Sequence, residues 1–144
     1  MPPAHMAPHA AHRFDIRTRI YWEDTDAGGV VYYANYLKFM ERCRSDWLRA
    51  LHVDQNRLRA ERQLQFAVVS VTVDFMRPAV LNDEVIVTAE LERLSGATIV
   101  FKQTIVRGDA QLIDASVRVA CLDSGTLKPR PIPKDLFVEW RNGQ

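Results

Sequence analysis

The sequence is short of most features that would settle a class at once. It has only two cysteines, Cys43 and Cys121, both inside apolar patterns and without metal-ligand spacing. That argues against a disulfide framework or a cysteine-based metal site and suits small core residues in a reducing compartment. Charge of one sign is lacking too: 19 basic and 18 acidic residues leave a formal net charge of +1, so no global field holds a nucleic acid or an anionic membrane. No apolar run approaches the roughly 20 residues that span a bilayer, and the amino-terminal stretch lacks the apolar core of a secretory signal. The expectation is a cytoplasmic protein with no membrane span and no nucleic-acid partner. Repeats and low-complexity blocks are missing as well. At 144 residues the chain is long enough for one hydrophobic core and too short for two ordinary domains.

What is present starts with a lead-in, MPPAHMAPHAAH, rich in Pro, Ala and His and without a period. Residues 1–13 are expected to be a flexible tail and residues 14–144 one domain. His5, His9 and His12 would need an ordered tail to bind a metal, so no metal site is assigned to them. Phe14 to Trp22 then alternates, with Phe14, Ile16, Thr18, Ile20 and Trp22 on one face and Asp15, Arg17 and Arg19 on the other. This is the pattern of a half-buried strand. If the chain stayed extended, Asp24 and Asp26 would both continue the inward face, and alternation does not choose between them.

The densest stretch is Glu23 to Tyr36, EDTDAGGVVYYANY. Three carboxylates, Glu23, Asp24 and Asp26, stand just before Gly28-Gly29, the chemistry of a tight turn. Apolar residues recur beyond it at Tyr36, Met40, Cys43, Trp47 and Leu51, which predicts a helix with one stripe toward a core, starting between Val31 and Asn35. Its other face carries Lys38, Glu41, Arg42, Arg44 and Arg49 and reads as solvated. The first N–H groups of such a helix lack internal partners and carry partial positive charge, so they suit a developing oxyanion. An acid beside an oxyanion site is a hydrolytic arrangement; the plainer reading is that Asp24 and Asp26 cap a turn.

Residues 54–63 read as a short helix or polar loop. From Phe66 the texture becomes β-branched, in blocks at 66–76, 83–94, 97–107 and 110–122. The short breaks at Ser95-Gly96 and Gly108-Asp109 predict antiparallel hairpins. DSGTLKPRPIP holds three of the seven prolines and should leave the sheet, and residues 135–140 read as a closing helical turn. One long helix and about five antiparallel strands give an α+β domain, a curved sheet wrapped around the helix. Val100 and Val106 look too apolar for an outer face, which points to a homo-oligomer, dimer or tetramer.

YWEDTDAGGVVYYANYLKFMERCRSDWL, residues 21–48, followed by VSVTVDFMRPAVLNDEVIV, residues 69–87, resembles the hotdog-fold acyl-CoA thioesterases of the 4-hydroxybenzoyl-CoA thioesterase family, nearest the Tol-Pal-associated (YbgC-like) branch. The resemblance implies a hotdog fold and hydrolysis of acyl-CoA to free acid and CoA, with no cofactor and with acyl carrier protein as a further partner. It implies that the second Asp of the D-x-D-x-x-G motif, Asp26, is the catalytic carboxylate, as general base or nucleophile. It also puts the oxyanion N–H on Tyr33, where many members of that branch carry His. Gly28, Gly29, Val30, Tyr36 and Arg77 are the expected substrate-binding positions, Arg77 for a CoA phosphate, although Tyr36 also lies on the core stripe. Lys128 and Arg130 are weaker phosphate candidates. Other readings are a non-catalytic acyl-CoA or acyl-carrier-protein binding module or envelope-assembly adaptor, and a dehydratase. The dehydratase would want a His paired with an acid, and no His lies in the key stretch.

Overall fold

The computed structural model describes residues 12–143; of the tail expected over residues 1–13, residues 1–11, with His5 and His9, lie outside them, and Arg13 instead opens the first strand. The alternating segment forms β1, Arg13–Arg19, and the four β-branched blocks form β2, Leu64–Phe75, β3, Glu84–Ser95, β4, Thr98–Arg107, and β5, Ala110–Asp123. All pairings are antiparallel in one five-stranded sheet of order β1-β3-β4-β5-β2. Tight turns join β3 to β4 and β4 to β5, as the short breaks predicted. β1 and β2 are left at the two edges.

The long helix α1 runs Tyr33–Ala50, and its stripe lies against the curved sheet. Tyr36, Phe39, Met40, Cys43, Trp47 and Leu48 are buried with Val85, Val87, Phe101, Ile105 and Leu112 of the sheet. Trp47 stacks on Phe14 of β1 at 6.5 Å between ring centroids and meets Phe101 of β4 edge-on at 6.1 Å. Each such side chain contributes about 1.5–3 kcal/mol by leaving water. Cys43 Sγ donates to the Val87 carbonyl at 3.4 Å, and burial pushes its thiol pKa up to about 12. Leu51, the last member of the predicted stripe, is only half-buried because the helix ends there.

Several expectations need correction. Trp22 does not face inward but is 80% exposed, because β1 stops at Arg19 and residues Trp22–Asp24 form a 3-10 turn that breaks the alternation. Arg44 does not belong to the solvated face: it is 9% exposed, and its Nη1 donates to Gln103 Oε1 at 2.8 Å. Gln103, fully buried on β4, in turn donates Nε2 to the carbonyls of Met40 and Thr88 at 3.1 and 3.2 Å. Burial lowers the Arg44 pKa from its usual value. Residues 54–63 resolve into helix α2, Gln55–Arg62, whose N-cap Asp54 accepts the Arg57 N–H at 3.1 Å. The closing helical turn, α3, spans Val138–Asn142, slightly later than expected. Val100 and Val106 are half-buried, and the apolar residues most exposed on the sheet belong instead to the β2 edge and its end, Val68, Val69, Val71, Phe75 and Met76. Among the described residues, no helix is long and apolar enough to cross a membrane.

Candidate active site

Between β1 and α1 the chain is held by backbone hydrogen bonds that fix where each carboxylate points. Asp24 Oδ2 accepts the Tyr21 N–H at 2.8 Å, and the Asp24 carbonyl accepts the Tyr32 N–H and Asn35 Nδ2, each at 2.9 Å. Asp24 therefore spends its side chain on the 3-10 turn and its backbone on the start of α1. Glu23 is exposed.

Asp26 begins a second turn. Thr25 pairs with Val31, the Asp26 N–H donates to Val30 at 2.8 Å, and the Gly29 N–H closes back on the Asp26 carbonyl at 3.0 Å. Gly29 has φ +82, a conformation with little cost only for glycine. Asp26 Oδ1 accepts the Gly28 N–H at 2.8 Å, an Asx-type turn. The expected turn-capping role is thus real for both acids. They differ in exposure, since Asp26 is the exposed one, and with Trp22, Thr25, Ala27, Gly29 and Leu81 it lines an open cleft of about 490 Å³.

The helix start lies just beyond. Tyr32 is its N-cap, with φ −61 and ψ 127, and its side chain makes no capping hydrogen bond. The Asn35 N–H turns back to the Tyr32 carbonyl at 2.8 Å, whereas among the described residues no protein acceptor meets the N–H of Tyr33 or Ala34. The Tyr33 side chain is 61% exposed, edge-on to Phe75 at 6.1 Å and 4.9 Å from the Tyr32 ring. The neighbouring Tyr33 phenol raises the Tyr32 phenol pKa above its usual value.

The remaining predicted positions separate. Val30 is half-buried and bridges to Val80. Tyr36 is 3% exposed; its hydroxyl accepts the Ala79 N–H at 3.0 Å, and burial raises its pKa against the opposing pull of that N–H. Arg77 stands exposed in the bend after β2, its own N–H donating to Leu112 at 3.3 Å. Arg130 Nη1 is engaged with the Arg62 carbonyl at 3.0 Å and Asp123 at 3.5 Å, while Lys128 is exposed. Beside the helix, Leu37, Met40, Val68, Val71 and Val117 line a groove of about 480 Å³.

Sequence reasoning passed over the segment that carries these turns, residues 78–83. It holds Val31 through an N–H to the Ala79 carbonyl at 2.9 Å, and Ile20 through an N–H to the Asp83 carbonyl at 2.8 Å. Arg107 Nη1 reaches the same segment, donating to Asp83 Oδ2 at 2.8 Å and the Pro78 carbonyl at 3.1 Å. Burial alone would raise the Asp83 pKa, but the Val80 N–H and the Arg107 guanidinium outweigh it and hold it below the usual 3.8. In the sequence Asp83 stands out only as the first residue of the block at 83–94.

A curved antiparallel sheet around one long helix, with an acid-bearing turn at that helix's uncapped start, defines a hotdog domain of the thioesterase type. The chain belongs to the Thioesterase superfamily, whose family model matches residues 28–113. Among its relatives, the acyl-CoA thioesterase YbgC of Haemophilus influenzae is 45% identical over 129 residues, covering 90% of this chain and 95% of that protein. The acyl-CoA thioester hydrolase YbgC of Escherichia coli O157:H7 is 43% identical over 124 residues, covering 85% and 92%. The crystal structure of a 4-hydroxybenzoyl CoA thioesterase mutant complexed with 4-hydroxybenzoyl CoA superposes with a TM-score of 0.83 at 18% identity, over 90% of this chain and 98% of that one; this last likeness is one of fold.

Proposed function

We propose that this chain hydrolyses acyl-CoA thioesters to free acid and CoA, with the Asp26 carboxylate and the Tyr33 backbone N–H as its working groups. The observation that carries the reading is the exposed Asp26, lining a cleft at the turn that leads into an uncapped helix. The relatedness to proteins named acyl-CoA thioesterase supports it. One carboxylate oxygen is held by the Gly28 N–H, and the other, with no protein partner among the described residues, is left to meet water or the thioester carbon. A carboxylate is a weak base at neutral pH, so position compensates for basicity.

In the general-base route Asp26 takes a proton from water as the water oxygen bonds to the carbonyl carbon. In the nucleophilic route the carboxylate makes that bond itself, and water then cleaves the resulting anhydride. Either way the carbonyl oxygen becomes an oxyanion facing the Tyr33 N–H, a contact of a kind that contributes about 3–4 kcal/mol to the transition state. Collapse then breaks the C–S bond and releases a thiolate, which needs little acid assistance. Arg77, exposed in the bend after β2, is the proposed contact for a CoA phosphate.

The edge strand β2, apolar and exposed at Val68, Val69 and Val71, is the natural place for a second copy, which would close the groove beside α1 over the acyl chain. Purified protein should release free thiol from acetyl-, hexanoyl- or benzoyl-CoA, or from an acyl carrier protein thioester. Asp26→Asn should lower kcat by roughly 10²–10⁴-fold with the fold unchanged. Equal rates for the two proteins would remove Asp26 from the chemistry, and single-turnover hydrolysis in 18O-water tests the nucleophilic route, since 18O enters Asp26 only if water cleaves the anhydride at the aspartyl carbonyl.

A further inference from the structure

The geometry points to Arg107 and Asp83 as positioning residues for the Asp26 turn, a role that rests on the function proposed above. The turn has two feet. Ile20 precedes it and Val31 follows it, and both are fastened to the same short segment, Ile20 through the Asp83 and Asn82 backbones at 2.8 and 2.9 Å and Val31 through Ala79 at 2.9 Å. Val30 bridges to Val80 of that segment, and Tyr36, in the first turn of α1, accepts the Ala79 N–H. Residues 78–83 therefore set the acid and the leading helix amides relative to one another.

The segment does not hold its own shape for free. Asn82 adopts a left-handed φ of 73, tolerated by Asn but less favourable than an ordinary turn. Two arginines brace it: Arg19 Nη1 donates to the Asn82 carbonyl at 2.6 Å, and one guanidinium nitrogen of Arg107 at the end of β4 ties the two ends together, bonded to the Pro78 carbonyl at the start and to Asp83 Oδ2 at the end. Asp83 Oδ2 also accepts the Val80 N–H at 2.9 Å, so the carboxylate closes the loop on itself. The pair is part-buried, with side-chain exposures of 37% and 19%, so solvent screens it less than a surface ion pair. Neither residue lines the cleft. Their effect passes through backbone to Asp26.

The test combines kinetics with amide hydrogen exchange on the full chain. Arg107→Ala should lower kcat about tenfold with KM within about twofold, as expected when a reacting group is misplaced and ground-state binding is kept. Arg107→Lys, which keeps the charge near Asp83 but not the planar fork, should recover part of the loss. In Arg107→Ala the Asp26 and Val31 amides should exchange faster while amides of Phe101 and Val117 keep their wild-type rates. Unchanged exchange at Asp26 and Val31, a uniform rise throughout the chain, or a loss confined to KM would overturn the proposal. A wild-type protein inert towards every acyl-CoA tested would instead sink the activity on which it rests, and the exchange data would still show whether the brace exists.

Discussion

Asp26 Oδ1 and the Gly28 nitrogen lie 2.8 Å apart, so the carboxylate proposed to do the chemistry is aimed by the turn it opens. A Cβ added at Gly28 would come within 3.2 Å of that same oxygen, and Gly28 does not have positive φ. Gly28→Ala should therefore leave stability within about 0.5 kcal/mol but displace the carboxylate, lowering kcat about tenfold. Gly29→Ala meets the opposite situation, with open space but φ +82, and should cost about 1 kcal/mol of stability. Steady-state kinetics beside urea melts separate the two. A wild-type rate for Gly28→Ala would mean that the contact does not aim the acid.

Asp24 and Asp26 answer to different measurements. Asp24 Oδ2 caps the Tyr21 N–H, an acceptor role that an amide oxygen also fills. Asp24→Asn should keep kcat within about threefold, whereas Asp24→Ala should cost about 1 kcal/mol in a denaturant melt. If Asp24→Asn were as inactive as Asp26→Asn, the division of labour between the two acids would be wrong.

How much of this was legible in the sequence depended on whether the signal was local. Alternation found β1, the short breaks found both hairpins, and the Tyr36-Met40-Cys43-Trp47 stripe found the buried face of α1, because each is a repeat read within one element. Trp22 was misread because the 3-10 turn that ends the alternation is closed by Asp24, a few residues further on. Arg44 was misread because a charge on a helix counts as outward until something inside accepts it, and that acceptor, Gln103, is on β4. Alternation could not separate Asp24 from Asp26; in the fold Asp26 is the more exposed of the two. The brace from Arg107 to residues 78–83 leaves no local pattern.

The buried pair Arg44 and Gln103 should behave as a unit. Gln103→Leu would leave the Arg44 guanidinium buried beside an apolar group, and should destabilise by about 3 kcal/mol. Arg44→Met should cost less, because Gln103 keeps its bonds to the Met40 and Thr88 carbonyls. Combining the two should cost clearly less than the sum, with a coupling of about 1–2 kcal/mol. Additive losses in equilibrium unfolding would show that the bond contributes nothing beyond packing.

Acid should weaken the fold through carboxylates held below their usual pKa. Asp83 is one, where the Val80 N–H and Arg107 outweigh burial; Asp135, beside Arg62, and Asp123, facing the Thr126 and Gly125 N–H groups, are others. For each, the unfolded chain binds its proton at a higher pH than the folded one. The stabilisation is therefore whole above about pH 4 and is lost as pH falls through the depressed folded value. Asp83→Asn removes one of these contributions. It should destabilise by about 1–2 kcal/mol at pH 7, and its deficit relative to wild type should shrink as pH falls below about 4. Thermal melts of both proteins across that range check the sign: a deficit that stayed constant, or grew, as the acid was added would mean that Asp83 is not stabilised as a carboxylate in the fold.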